Sequence, residues 1–231
     1  MNLQRNRIME IDKLLKGLTP IVERWMDLIE EYSSKMKNKD ALYWYNERAT
    51  LSTFAGAIWL SRGIALEEFS STKIKSTRGK STKTKSGRTD LWFYFNGKEY
   101  IVEAKQISPS MHYSEKDIID QLQNTLEKEA CNDAAEFSPP KFHKKCLRIG
   151  VVFLTPYLPK SYKNKHEIKS KILALKKKIK ERLKGKRDYH LLAIPSSDSS
   201  LKLQDTSDGL IYPIVVLVAK VVRIKKRDMK K

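Results

Sequence analysis

The segment TDLWFYFNGKEYIVEAKQ, Thr89 to Gln106, holds two apolar runs joined by Asn-Gly, with an acid near each outer end. Asn96-Gly97 between strand-like runs is the strongest short-range hairpin signal, because both residues accept positive φ and suit a type I′ turn. With those two residues as the loop, Phe95 faces Lys98 and Tyr94 faces Glu99. Counting outward sets Asp90 opposite Glu103 on one face of the sheet, where opposed Cβ atoms lie about 4.5–5.5 Å apart. Lys105, two residues beyond Glu103, points to that same face. The hairpin therefore gathers two carboxylates and an amine at its open end.

Opposed like charges repel, so folding alone does not favour this pair. A divalent cation reverses the sign: two hard oxygen ligands at that separation form half of a Mg²⁺ site, with waters and a phosphate oxygen completing the octahedron. The lysine then balances the remaining charge and lies against the phosphate under attack. Glu-x-Lys by itself carries no weight, since it recurs at Glu167 to Lys169 in a basic helical stretch. What counts is the context: the facing Asp90, the Asn-Gly register, and the apolar run Tyr100 to Val102 that leads into Glu103. The same residues could instead form a purely structural Asp–Lys–Glu cluster or a Glu103–Arg88 bridge.

Upstream, Ile8, Ile11, Leu15 and Leu18 fall at helical spacing and predict a helix over 3–18. Thr19-Pro20 predicts the opening of a second helix through Trp25, Leu28, Ile29 and Tyr32. A third is expected from about Ala41 to Ser61, its apolar stripe formed by Trp44, Leu51, Phe54 and Ile58. Glu47 falls on that stripe and must find a partner, bind a cation or be neutralised, unless it sits at the stripe's edge in water. GIALEEFSS, from Gly63, predicts a strand. Ser71 to Arg88 then contains no acid and no aromatic, and carries Lys73, Lys75, Arg78, Lys80, Lys83, Lys85 and Arg88. Such a stretch builds no core; it predicts a flexible loop or a long exposed hairpin tip whose basic side chains contact phosphates.

Downstream, a helix is expected from about Ser114 to Ala134, and Ile149 to Leu154 predicts a strand covered on both sides. A basic helix over Lys163 to Lys184 carries the stripe Ile168, Ile172, Leu175, Ile179 and Leu183. YHLLAIP and IYPIVVLVAKVVRI predict further strands. The order of elements implies an α/β fold, a mixed central sheet with helices against its faces. At 231 residues the chain suits a single domain. Residues 1–40 form an amino-terminal helical segment, 41–158 the core, and 159–231 the basic helix and final strands.

With 46 Lys+Arg against 27 Asp+Glu, the formal net charge is +19, which attracts polyanions, nucleic acid first. The most apolar window, YPIVVLVAKVV, is far shorter than the ~20 residues a spanning helix needs. No apolar signal core opens the sequence, and Cys131 and Cys146 form no CxxC pair, so a reducing cytoplasm is the expected compartment. His143 and Cys146 have a metal-like spacing but supply only two ligands, too few for zinc.

Asp90 followed by Glu103-Ala104-Lys105, after a helix bearing Glu47 and before a helix and another strand, resembles the PD-(D/E)xK superfamily of restriction-endonuclease-like nucleases. The resemblance covers about Ala41 to Leu158 and implies an α-β-β-β-α-β core with the amino-terminal helices added to it. It implies that Asp90 and Glu103 ligate Mg²⁺, with Mn²⁺ able to substitute, and that Ala104 lends its carbonyl. Lys105 would orient or activate the attacking water, and Glu47 would complete the site from its helix. Glu67 and Glu68 on the preceding strand compete for that last role. Thr89 stands where the family name has proline. The implied activity is metal-dependent cleavage of DNA phosphodiesters by a restriction or defence endonuclease. A repair or recombination nuclease of the junction-resolvase kind is the next candidate, and a non-catalytic nucleic-acid-binding protein the rival from another class. A homodimer would supply the two active sites that double-strand cleavage needs.

Overall fold

A computed structural model describes residues 7–37, 39–75, 83–138, 146–162, 164–184, 189–196 and 209–222. The loop tip bearing Arg78 and Lys80, His143, the Ser/Asp-rich connection over 197–208 and the basic tail lie outside these residues. In chain order the elements are β1 (Ile8–Ile11), α1 (Thr19–Lys35), α2 (Glu47–Leu60), β2 (Ile64–Lys75), β3 (Lys83–Phe95) and β4 (Lys98–Ile107). Then follow α3 (Glu115–Thr125), α4 (Cys131–Glu136), β5 (Phe137–Ser138), β6 (Leu147–Leu154), β7 (Leu158–Pro159), α5 (Lys165–Lys184), β8 (Leu191–Ile194), β9 (Leu210–Ile211) and β10 (Val216–Val221). The fold is mixed α/β.

Among the described residues, eight strands form one sheet in the order β1-β8-β10-β6-β4-β3-β2-β5, with β7 and β9 paired apart from it. Only β4 and β6 run parallel; the remaining neighbours are antiparallel. A parallel neighbour demands a long crossover, and α3 with α4 supplies it. Side chains alternate along β4: Tyr100, Val102 and Ala104 enter the core beneath α1 and α2, so Ile101, Glu103 and Lys105 point to the α3–α4 side. The α1–α2 core is built on Trp25 against Phe153 and on Phe93 stacked on Tyr100 at 4.5 Å. A second core, beneath α3 and α5, holds Ile119, Leu122, Val152, Ile168, Ile172, Leu175 and Ile179. Thus β6 is covered on both faces, as its unbroken apolar run requires.

The Asn-Gly turn forms as expected. Asn96 and Gly97 have φ of 49° and 74°, and the ladder runs from Phe95↔Lys98 through Leu91↔Val102. The basic stretch forms the two arms of a hairpin, paired from Ser71↔Gly87 to Lys75↔Lys83. Two helix expectations need correction. Residues 8–11 are a strand at the sheet edge, not part of a helix over 3–18. Ile8 packs into one core and Met9 and Ile11 into the other, so a period of two explains the same apolar residues. The third helix starts at Glu47, not near Ala41, because Asn46 caps it by accepting from the Ala49 N–H at 2.9 Å. Trp44 accordingly lies on a preceding 3₁₀ turn.

Between α3 and α4 the helix passes through one π turn, Leu126–Ala130, and comes down directly on β6 at Gly150. A Cβ at Gly150 would stand 2.7 Å from the Cys131 nitrogen and 2.9 Å from the Ala130 carbonyl carbon. Both are backbone atoms, so nothing can turn aside. Gly150→Ala should therefore destabilise the fold by ~1–3 kcal/mol. Gly17→Ala, where a Cβ meets nothing within 4 Å, should change stability by no more than ~0.5 kcal/mol. Thermal or urea denaturation of the pair checks this; equal midpoints would mean that the helix does not press on β6.

Candidate active site

Strands β3 and β4 part company at Asp90. The ladder's last pair is Leu91↔Val102, one step short of the Asp90–Glu103 pair that the count from the turn projects. In place of a main-chain carbonyl, Asp90 Oδ2 accepts the Ala104 N–H at 2.7 Å. On the other side, the β2–β3 pairing steps from Glu67↔Leu91 to Phe69↔Thr89, and Glu68 between them has φ of 52°. The sheet is thus irregular on both sides of Asp90. Ala104 turns its N–H towards Asp90, and in an extended strand the carbonyl of the same residue leaves on the same edge. That carbonyl faces the gap, away from the β6 ladder.

Glu103 is 1% exposed. It lies beside Gly150 in the parallel β4–β6 register, under the point where the π turn presses on the sheet. Its partner is Lys73 of β2, whose Nζ lies 3.0 Å from Oε1 and 3.1 Å from Oε2. Hydrogen-bond geometry holds only towards Oε2; Oε1 is buried without such a bond. Burial pushes the Glu103 carboxyl up to about 7; Asp90 adds to the rise, and Lys73 opposes it. Lys73 was expected to grip a backbone phosphate from the basic stretch. It instead delivers its amine to Glu103, and the Glu103–Arg88 alternative does not form.

Lys105 follows on the same face and bridges Asp133 of α4 at 2.9 Å. Burial alone would lower this amine, but Asp133, Asp90 and Glu47 outweigh it and hold it above its ordinary range. It is therefore an ammonium at neutral pH, suited to stabilising negative charge and not to accepting a proton. Glu47, first residue of α2, arrives from the opposite core: its Oε2 accepts the Gln106 N–H at 2.9 Å. Burial raises its carboxyl, the Gln106 N–H and Lys105 oppose that, and Asp90 adds to it. The side chain of Gln106 clamps the same junction, accepting from Thr50 Oγ1 at 2.7 Å and donating to the Tyr43 carbonyl at 3.3 Å.

Glu47, Asp90, Glu103 and Lys105 are thus brought together. The rivals of Glu47 are engaged elsewhere: Glu67 accepts from Ser52 Oγ at 2.6 Å, and Glu68 pairs with Arg48 and Arg88, each at 3.1 Å. Arg88 is thereby half of an exposed ion pair. Thr89 is fully buried and donates to Ser71 Oγ. The backbone of Lys75, Lys83 and Lys85 forms the hairpin arms; their side chains, with Arg78 and Lys80, lie outside the described residues. Lys73 and Asp133 were not foreseen as members of the site. Lys73 had a signal, its place in the strand that pairs with β3, but no spacing in the sequence ties Asp133 to β4.

Among the described residues no group of three or more His, Cys, Asp or Glu side chains is spaced to hold a metal ion. The acids at the strand gap are Asp90 and Glu103, with Glu47 reaching it from α2. Oxygen-only donors suit Mg²⁺ or Mn²⁺, which keep several coordination positions for water and phosphate. The buried Glu103 carboxylate already holds one cation, the Lys73 ammonium, and the Ala104 carbonyl faces the same gap. The residues present therefore fit a divalent cation.

Set against known proteins, the chain matches no protein-family model, no curated protein and no solved structure. No helix among the described residues is long and apolar enough to cross a membrane.

The raised Glu103 carboxyl has a measurable consequence. The unfolded chain releases this proton near pH 4.3 and the folded chain near 7. The stability that the group contributes is therefore complete below about pH 4 and is lost as pH rises through 7. Glu103→Gln should flatten the fall in unfolding midpoint between about pH 4 and 7, leaving the contribution of Glu47 in the same direction. A variant whose midpoint follows pH as the wild type does would contradict the assignment.

Proposed function

We propose that this chain is a metal-dependent endonuclease that hydrolyses DNA phosphodiesters, of the PD-(D/E)xK type. One observation carries the proposal: Asp90, Glu103, Lys105 and Glu47 converge where β3 separates from β4. They do so on the element order α2-β2-β3-β4-α3-α4-β5-β6, which supports an α-β-β-β-α-β core with the short edge strand β5 inserted before β6. Two carboxylates and an ammonium gathered beside a break in the ladder, with Glu103 almost fully buried, support a cation site over a purely structural cluster.

Mg²⁺ or Mn²⁺, when bound, would lower the pKa of attacking water and stabilise charge on the phosphate. Asp90 and Glu103 would hold the ion, with the Ala104 carbonyl beside them. Lys105, kept protonated by Asp133, would face the phosphate and offset the charge that develops on its oxygens. Asp90 is held in place by the Ala104 N–H, and Glu47 by the Gln106 N–H, so both carboxylates are oriented before substrate arrives. The +19 charge of the chain favours a polyanionic substrate. Lys75, Lys83 and Lys85 of the β2–β3 hairpin, with Arg78 and Lys80 between them in sequence, would be its backbone contacts. A restriction or defence role in the cytoplasm fits best, with a junction-resolving repair nuclease next. A homodimer would bring two such sites to the two strands of a duplex.

Plasmid and linear DNA should be cut in Mg²⁺ or Mn²⁺ and left intact in EDTA. Asp90→Ala, Glu103→Ala and Lys105→Ala should each reduce cleavage by at least about 10²-fold while DNA binding persists. Cutting that survives Asp90→Ala would place the chemistry elsewhere, and binding without cutting under every metal condition would favour a non-catalytic nucleic-acid-binding protein. Neutralising Lys80, Lys83 and Lys85 together should weaken binding and reduce its salt slope by about one unit per lost phosphate contact. An unchanged slope would remove the hairpin from the interface.

A further inference from the structure

By sequence Lys73 belongs to the basic stretch, yet its amine sits in the site. To reach Glu103 on β4 from β2, the side chain must cross β3, which lies between them. Gly87 provides the passage: a Cβ there would fall 3.2 Å from both Cγ and Cδ of Lys73 and 3.5 Å from Cε. The Lys73 backbone is held on both sides, paired with Lys85 on β3 and with Phe137 on β5. Its side chain is only 19% exposed, so the ammonium is partly withdrawn from water and its charge is offset chiefly by Glu103.

This places a cation on the very carboxylate to which the nuclease reading assigns a metal. An ammonium and a divalent ion cannot share that carboxylate at contact distance without strong repulsion in a poorly hydrated site. Lysine is suited to yield, being a point charge on a flexible four-carbon stem, and the nearest alternative anion for a nuclease is a substrate phosphate. Resting on the nuclease reading above, we propose that Lys73 is a resident counter-ion of Glu103 that competes with the divalent metal. It is released when a polyanion draws its ammonium away, so that metal uptake and nucleic-acid binding are coupled. Linkage makes the coupling reciprocal: nucleic acid tightens metal binding by the factor by which metal tightens nucleic-acid binding.

The test is calorimetric titration of Mg²⁺ alone, without nucleic acid, into wild type, Lys73→Met and Lys73→Gln at pH 9, where proton competition for Glu103 is least. Lys73→Met keeps the apolar stem over Gly87 and removes only the charge; thermal unfolding confirms that each variant is folded. Both variants should bind Mg²⁺ about tenfold more tightly than wild type, within the usual range of coupling. Gly87→Val, which pushes the stem off β3, should move affinity in the same direction. Equal or weaker binding by folded Lys73→Met and Lys73→Gln, with wild type still binding, would overturn the counter-ion role and leave the metal site standing. No uptake by wild type, by either Lys73 variant or by Gly87→Val would overturn the metal site and this coupling with it.

Discussion

A carboxylate buried at the centre of a sheet is the constraint around which this molecule is organised. Glu103 lies on β4 between β3 and the parallel β6, and the π turn presses onto Gly150 beside it. Desolvation of that kind disfavours the charged form, and nearby Asp90 disfavours it further. Lys73 is the compensation the fold supplies, its ammonium 3.0 Å from Oε1 and 3.1 Å from Oε2. Isolated buried charge is retained only where something offsets it. Under the proposed function, a divalent ion would offset the charge of this acid pair.

The irregular backbone around Asp90 belongs to the same picture. A regular three-stranded ladder would have spent the Ala104 N–H on a β3 carbonyl and fixed Asp90 in an ordinary pair. Instead β3 leaves β4, the side chain of Asp90 takes the carbonyl's place, and Glu68 adopts positive φ at the matching step of β2. Non-glycine residues with positive φ are uncommon and cluster where function over-determines the backbone. The gap lets the Asp90 carboxylate reach an N–H of buried Ala104 that a continuous sheet would pair with the β3 backbone. Glu47 reaches it from the other face because the Asn46 cap starts α2 there and Gln106 ties its first turn to β4.

Much of this was legible from local chemistry. Asn-Gly between apolar runs set the hairpin and, through it, the common face of Glu103 and Lys105, while the projected Asp90–Glu103 pair falls one step past the end of the ladder. The unbroken apolar run at Ile149 to Leu154 identified a strand covered on both faces, and the stripe of the basic helix identified its buried side. What misled was period. Ile8 and Ile11 fit a helix as readily as a short edge strand, and only the partner strand Leu191–Ile194, some 180 residues away, decides between them. Asn46 three residues before Ala49 is a cap whose strength depends on where the chain turns, and Trp44 drew the expected helix upstream. Lys73 and Asp133 escaped for a different cause. Their roles are set by crossing a strand and by a helix docking on a sheet, contacts that no spacing along the chain encodes. The basic stretch looked like solvated surface because its composition is polar, but the strand register carries one of its lysines inward.

The most direct measurement is the location of a bound ion and of the Lys73 amine in the same crystal. Protein crystallised with Mn²⁺ and a phosphorothioate DNA duplex, with anomalous scattering recorded near the manganese edge, should show a peak between the carboxylates of Asp90 and Glu103. The Lys73 ammonium should have moved off Glu103 towards a phosphate oxygen. Glu103 still paired with Lys73 in that complex, with manganese bound elsewhere or not at all, would contradict the account.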